Sequence, residues 1–198
     1  MPRFDLATAL RDVRGAVRAS VPLAPLMHLR IGGPAEWLVE PFAEEDAAKV
    51  IAICGELGVP LRVLGGGSNI VVADAGVRGV VMQLGNLNRI VGDGERVTVG
   101  AGCTLPSLLR ATKEAGLAGL ERLTGIPAQV GGAVAMNAGT RDGETFDQLV
   151  SLTVAEPGGT IAVRGPAEFA PSYRNGQLRG AVVLQATFEL ERDAPEAI

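Results

Sequence analysis

The stretch Leu64-Gly65-Gly66-Gly67-Ser68-Asn69-Ile70 dispenses with three side chains in a row. Bare backbone of this kind can turn successive N–H groups towards one point and cradle an anion, with the Ser68 hydroxyl and the Asn69 amide as further donors and acceptors. A glycine-rich bulge or tight turn with no ligand uses the same residues. Two better-known phosphate-binding patterns are excluded. The dinucleotide fingerprint needs a third small residue where Ile70 stands and then a helix, whereas Ile70-Val71-Val72 is β-branched. A P-loop needs Gly-Lys-Ser/Thr, and no lysine follows these glycines.

A second cluster runs from Leu123 to Thr140 and carries almost no bulky side chain between Pro127 and Gly139. Pro127 predicts the start of a short helix, which would leave free N–H groups between Gly125 and Ala128. Gly131, Gly132, Ala133 and Ala135 would leave a flat surface for a planar or extended ligand, and Asn137 offers an amide to a heterocycle edge or a ribose. Close packing by small residues is the competing account of this cluster. One shared ligand with a pyrophosphate and a flat ring explains both clusters together.

Composition narrows the class. The chain is 47% hydrophobic and 20% charged, the balance of a folded domain with its own core. A net charge of −4 argues against a nucleic-acid surface. Cys54 and Cys103 have no CxxC spacing and no histidine nearby, so no metal site is expected and both read as buried thiols. No apolar run has the length of a membrane span, and "MPRFDLATALRDVRG" is an amphipathic helix rather than a signal peptide. A reducing cytoplasm fits these features.

The clusters need elements to hold them. "FAEEDAAKVIAICGELGVP" predicts a helix: Ala47, Val50, Ile51, Cys54 and Leu57 recur at helical spacing, acids fill the first turn, and Gly58 with Pro60 end it. Strands are predicted on both sides of Gly32-Gly33-Pro34, in "LRVL" and "NIVVAD" around the triple glycine, and in "VRGVVMQLG". The second half predicts a hairpin signalled by Asp93-Gly94, a helix capped by Thr104 with a stripe of Leu105, Leu108, Leu109 and Thr112, a hairpin around Pro157-Gly158-Gly159, and a long strand in "AVVLQATFELER". The expected architecture is α+β in two lobes with a cleft between them: lobe 1 over 1–84 with a small mixed or parallel sheet, and lobe 2 over 85–192 with an antiparallel sheet. "ERDAPEAI" reads as a helix start, so 193–198 is expected to open a further C-terminal domain.

The segments "RIGGPAEWLVEP", "VLGGGSNIVVAD", "GAGCTLPSLLRATKEAGLAGLERLTGIPAQVGGAVAMNAGT" and "YRNG" occur in this order, and over essentially the whole chain they resemble the UDP-N-acetylenolpyruvoylglucosamine reductase family. The resemblance implies the two-lobed FAD-binding fold of the vanillyl-alcohol-oxidase (PCMH) type. It implies that FAD is contacted by Leu64, Gly65, Gly66, Gly67, Ser68, Asn69 and Ile70, mainly at the pyrophosphate. Gly102, Thr124, Gly125, Ile126, Pro127, Val130, Gly131, Gly132, Ala133, Ala135, Asn137, Ala138 and Gly139 complete the implied cofactor contacts. Members of this family pass a hydride from NADPH through FAD to an enolpyruvyl ether on UDP-N-acetylglucosamine, a step in peptidoglycan synthesis. Hydride addition builds negative charge beside a carboxylate, which calls for a cationic clamp and a proton donor. Arg174 matches the family arginine for the clamp, a role suited to a permanently charged fork, with Tyr173 beside it at the substrate. Gly176 stands where the family usually carries serine.

The same resemblance places the proton-donating serine (cysteine in some members) and a glutamate in a third domain after the last strand seen here. The chain is therefore expected to hold FAD and turn over little by itself. His28, the only histidine, is not promoted to the acid's role. Two other readings compete. An aldonolactone or alcohol oxidase of the same superfold often attaches its flavin to His or Cys, which the single His28 and the buried-looking Cys54 disfavour. A non-catalytic nucleotide-binding module is disfavoured by Arg174 and the intact glycine clusters.

Overall fold

A computed structural model describes residues 6–193. They fall into two compact units. One holds the described residues up to Asn86 together with Ala155–Ile161, and the other holds Leu87–Val154 and the described residues from Ala162 onward. The helix start expected at 193–198 lies outside the described residues beyond Asp193.

The first unit begins with the short helix α1, Leu6–Ala9, and then forms β1 (Gly15–Pro22), β2 (Pro34–Pro41), α2 (Glu44–Leu57), β3 (Leu61–Val63) and β4 (Val77–Met82). The sheet order is β1-β2-β4-β3. β1 runs antiparallel to β2, from Gly15 opposite Pro41 to Pro22 opposite Pro34, while β4 is parallel to both β2 and β3. α2 follows its sequence pattern. The Asp46 carboxylate accepts from Ala43 N–H at the helix entry, and Ala47, Val50, Ile51 and Cys54 are buried.

Two predicted strands are absent here. Residues 23–33 form a 3-10 turn, Ala24–Leu26, and an irregular segment, because Leu23 and Met27 drop into the core while His28 to Ile31 stay exposed. "NIVVAD" joins no ladder. Its one buried apolar residue is Val72, and the Ala73 carbonyl accepts from Gly33 and Gly76 N–H instead of from a neighbouring strand. A run of β-branched residues makes a strand only where burial and ladder pairing support it, and here they do not.

The second unit contains β5 (Ile90–Asp93), β6 (Arg96–Gly100), α3 (Leu105–Glu114), β7 (Leu117–Ala118), α4 (Val130–Ala135), β8 (Gly139–Thr140), β9 (Gly143–Glu144) and β10 (Leu149–Ala155). β11 (Ile161–Arg164), β12 (Val182–Glu189) and β13 (Glu191–Arg192) follow. The main sheet has the order β11-β10-β12-β6-β5, with β6 antiparallel to both β5 and β12. Cross-strand pairs fix the register of β6 and β12: Thr98 against Thr187 at 3.0 Å and Arg96 against Glu189 at 3.1 Å. Leu184, Ala186 and Phe188 of β12 are fully buried with Leu105 and Leu108 of α3 and Val130, Ala133 and Val134 of α4. Thr104 caps α3 by accepting from Ser107 N–H, as its position before the leucine stripe predicts.

Candidate functional site

The triple-glycine loop is an arch pinned at both feet. Leu64 and Val72 enter one buried cluster with Leu23, Met27, Ala35, Leu38 and Val81, and Leu64 N–H donates to Met82 O at 2.8 Å. Between those feet Gly66, Ser68, Asn69, Ile70 and Val71 are exposed, and only Gly67 is buried. Gly67 is fixed by the protein itself. Its φ is +67°, a Cβ there would lie 2.4 Å from Leu26 O, and its carbonyl accepts from His28 N–H. His28 is exposed and its backbone serves the loop.

The amides of this arch are unspent. Among the described residues, no protein acceptor is bonded to the main-chain N–H of any residue from Gly65 to Ile70. The row lies on bare, glycine-rich backbone that is exposed except at Gly65 and Gly67, so its donors are open to a ligand, and the residues present fit a pyrophosphate. Ser68 and Asn69 sit exposed on the same arch.

The second cluster corrects its prediction at the helix start. The helix begins at Val130 rather than at Pro127. Ile126 N–H donates to Leu123 O and Ala128 N–H to Ile126 O, so the expected free donors from Gly125 to Ala128 reduce to Gly125 alone. The helix entry is partly spent, because Val130 N–H donates to Cys103 O and Gly131 N–H to Ala101 O, while no protein acceptor takes Gly132 N–H among the described residues. Gly102, buried beside these acceptors, donates to Leu87 O.

The small residues divide into two kinds. A Cβ on Gly131 would stand 2.9 Å from the Ala101 Cβ, and one on Gly139 would stand 2.4 Å from Gly143 O, so both are small to let chain segments meet. A Cβ on Gly125 or Gly132 would meet nothing within 4 Å, so those two face open space. Val130, Ala133 and Ala138 are buried, Ile126 and Ala135 are half-buried, and Thr124 and Pro127 are exposed. The flat, ligand-facing surface expected of Gly131, Gly132, Ala133 and Ala135 therefore shrinks to Gly132 and the half-buried Ala135.

Asn137 is also corrected. It was expected to present its amide to a ring or ribose, but that amide is engaged by protein on both sides. Nδ2 donates to Glu144 Oε2 at 2.5 Å and to Ser172 O at 3.4 Å, and Oδ1 accepts from Phe146 N–H at 3.3 Å. Ser172 and Glu144 are the partners that sequence reasoning missed. The available signal was an asparagine at the end of a small-residue helix, a place where positive φ favours Asn.

Ser172 opens the tight turn that carries Tyr173 and Arg174. Ser172 N–H donates to Asn175 O and Asn175 N–H to Ser172 O, which leaves Tyr173 and Arg174 at the tip, with Tyr173 81% exposed. The Arg174 guanidinium lies 5.5 Å from the centre of the Tyr173 ring. Among the described residues it pairs with no carboxylate. It is exposed, charged and available to an anion. Gly176 closes the turn by donating to Ala135 O at 2.9 Å, and a Cβ there would fall 2.2 Å from Val134 O. Glycine at 176 is thus a packing requirement of this chain.

Among the described residues no group of His, Cys, Asp and Glu is placed to hold a metal ion, and no helix is long and apolar enough to cross a membrane. Burial pushes the Cys54 thiol up to about 11 and raises Cys103 as well, so neither is a poised nucleophile.

Residues 35–164 match the FAD binding domain family. The UDP-N-acetylenolpyruvoylglucosamine reductase of Anaeromyxobacter sp. (strain Fw109-5) is 43% identical over 182 residues, 91% of this chain and 57% of that protein. The crystal structure of the corresponding reductase from Thermus caldophilus superposes with a TM-score of 0.79 at 37% identity, covering 93% of this chain and 65% of that one. 6-Hydroxy-D-nicotine oxidase from Arthrobacter nicotinovorans superposes with a TM-score of 0.71 at 21% identity, covering 95% of this chain and 44% of that one, a likeness of fold alone. The architecture is thus the α+β FAD-binding fold expected from sequence, and the chain spans under two thirds of the length of the reductases it matches.

Proposed function

The chain belongs to the FAD binding domain family, and on that premise we propose that it is the cofactor-holding part of a UDP-N-acetylenolpyruvoylglucosamine reductase. In this reading the complete protein uses NADPH to reduce the enolpyruvyl ether of UDP-N-acetylglucosamine to UDP-N-acetylmuramate. It is then a cytoplasmic oxidoreductase of peptidoglycan synthesis, supporting cell-wall growth and division. The observation that carries the proposal is the row of unspent N–H groups from Gly65 to Ile70.

Those amides would hold the pyrophosphate of FAD, with Ser68 and Asn69 beside them. Gly125 and Gly132, which face open space, would let a ligand approach their own backbone closely. Bound FAD supplies hydride transfer. The residues of this chain bind and orient. Arg174, with no acidic partner, would grip the substrate carboxylate and stabilise the negative charge that develops beside it, with Tyr173 flanking. The proton donor falls, by resemblance, in a portion of the reductases that this chain does not match, and no residue from 6 to 193 takes that role.

The test is an absorbance spectrum of the chain after incubation with FAD and desalting, paired with NADPH oxidation in the presence of the UDP-enolpyruvyl sugar. Flavin retained with little or no turnover is expected. A chain that keeps no flavin would refute the cofactor reading. Full turnover would refute the assignment of the acid to another part of the reductase.

A further inference from the structure

Backbone around Arg174 needs holding. Ala170, Arg174, Gln177 and Arg179 have φ values of +49°, +57°, +51° and +52°, a region that residues with a Cβ seldom enter. Such a segment persists only where its surroundings over-determine it. The Ser172–Asn175 turn is closed on itself by two main-chain bonds and tied to the end of α4 by two more. One tie is main-chain, Gly176 N–H to Ala135 O. The other comes from a side chain, Asn137 Nδ2 to Ser172 O.

Asn137 is only 2% exposed and itself has φ +40°. Its orientation follows from its partners. Glu144 Oε2 and Ser172 O are acceptors and require Nδ2, whereas Phe146 N–H is a donor and requires Oδ1. The amide thus has one satisfied pose, and that pose supports the first residue of the turn. We propose that Asn137 is a positioning residue that sets the direction of Arg174, and so the place where this chain grips an anion such as a carboxylate. The proposal rests on reading Arg174 as the anion-facing group.

Tyr173 is the only tyrosine in the chain, and its ring lies under the Arg174 guanidinium. Incorporating 3-fluorotyrosine therefore puts a single fluorine label on the turn. Four proteins are compared by fluorine NMR: the unsubstituted chain, Arg174→Ala, Asn137→Ala and the double variant. Arg174→Ala is expected to move the resonance in the unsubstituted background and to leave it unmoved once Asn137 is alanine. Equal movement in both backgrounds, or movement in neither, overturns the proposal.

Amide exchange supplies the second readout. Asn137→Ala is expected to speed exchange at Asn175 and Gly176 at least tenfold while β6 and β12 keep their protection. Acceleration spread across β12, or none at Asn175 and Gly176, would mean that Asn137 merely stabilises the unit. Should Asn137→Ala fail to fold, Asn137→Gly replaces it, because glycine tolerates the backbone at φ +40° and still removes the amide. Flavin retention is recorded on the same samples. Its loss in the unsubstituted chain would sink the cofactor reading without affecting the fluorine comparison.

Discussion

Gly67→Ala should separate the arch from an ordinary glycine turn, with Gly58→Ala as its control. The two glycines have nearly the same backbone, φ +67° and +63°. Both substitutions bear the left-handed penalty of a Cβ, about 1–2 kcal/mol. They differ in what that Cβ meets. At Gly58 nothing lies within 4 Å, whereas at Gly67 the Cβ would stand 2.4 Å from Leu26 O and 3.0 Å from Met27 Cα. Backbone cannot yield there without moving the arch off the core. The shift breaks His28 N–H to Gly67 O, now 3.0 Å, and overpacks the cluster of Leu23, Met27, Leu64 and Val72. One net hydrogen bond plus overpacking amounts to about 2–4 kcal/mol beyond the control. For a chain of this size that excess corresponds to roughly 5–15 °C in Tm. Thermal unfolding of the flavin-free chain measures it, and desalting after incubation with FAD measures retention. Gly67→Ala should melt well below Gly58→Ala and release flavin that Gly58→Ala keeps. If the two variants melt together and keep flavin equally, the close approach of Gly67 to Leu26 does not position the arch, and the argument for a built donor row fails.

Two further outcomes follow from buried titratable groups. Burial pushes the Asp46 carboxyl up, but hydrogen bonds from Arg14 Nε and N–H, the Arg14 charge and the Ala43 N–H together hold it below its ordinary 3.8. A depressed carboxyl adds stability above its unfolded value and loses it as pH falls through the folded one. Asp46→Asn should therefore lower stability at pH 7 by on the order of 1–2 kcal/mol, and the gap should close in acid melts taken below 3.8; a gap that persists there would mean that packing, not charge, was lost. Cys54 and Cys103 are buried with raised thiols, so Ellman's reagent should label neither in the folded chain and both after unfolding; rapid labelling of the native chain would show that one of them is open to solvent.

Local rules were enough wherever the signal was local. α2 and α3 follow from apolar spacing plus identifiable ends, the acidic first turn and Gly58 for α2 and the Thr104 cap for α3. The hairpins of β5–β6 and β10–β11 follow from glycine-bearing turns between alternating strands. The errors arose where the deciding partner lies far along the chain. Ile70 to Val72 has strand-like composition, yet only Val72 reaches the core and the Ala73 carbonyl after it is taken by Gly33 and Gly76 N–H, so the segment is held as a loop. Pro127 satisfies the rule for a first helical residue, but the cost of nucleation is offset only from Val130, where Ala101 and Cys103 supply acceptors from another part of the unit. Asn137 offers its amide, and in the fold that amide meets protein groups. An amide that can serve a ligand serves Glu144 and Ser172 equally well, and only the fold decides between them.

The glycines show most clearly what sequence leaves open. Both clusters looked like bare backbone awaiting a ligand, and a count of glycines treats their members alike. Sterically they are not alike. Gly67, Gly131, Gly139 and Gly176 are small because protein atoms stand within 3 Å of where a Cβ would be, so replacing them tests the fold. Gly125 and Gly132 have no such neighbour, so replacing Gly132 tests what comes from outside the chain, and Gly125 does so once its own left-handed backbone is discounted. The donor row from Gly65 to Ile70 joins the two kinds. Gly67 fixes the arch against Leu26 and Met27, and among the described residues no protein acceptor takes the neighbouring N–H groups. Preorganised donors of this kind bind an anion without first giving up internal bonds. On the proposed reading, an arch whose amides are not spent on protein is free to serve a phosphate.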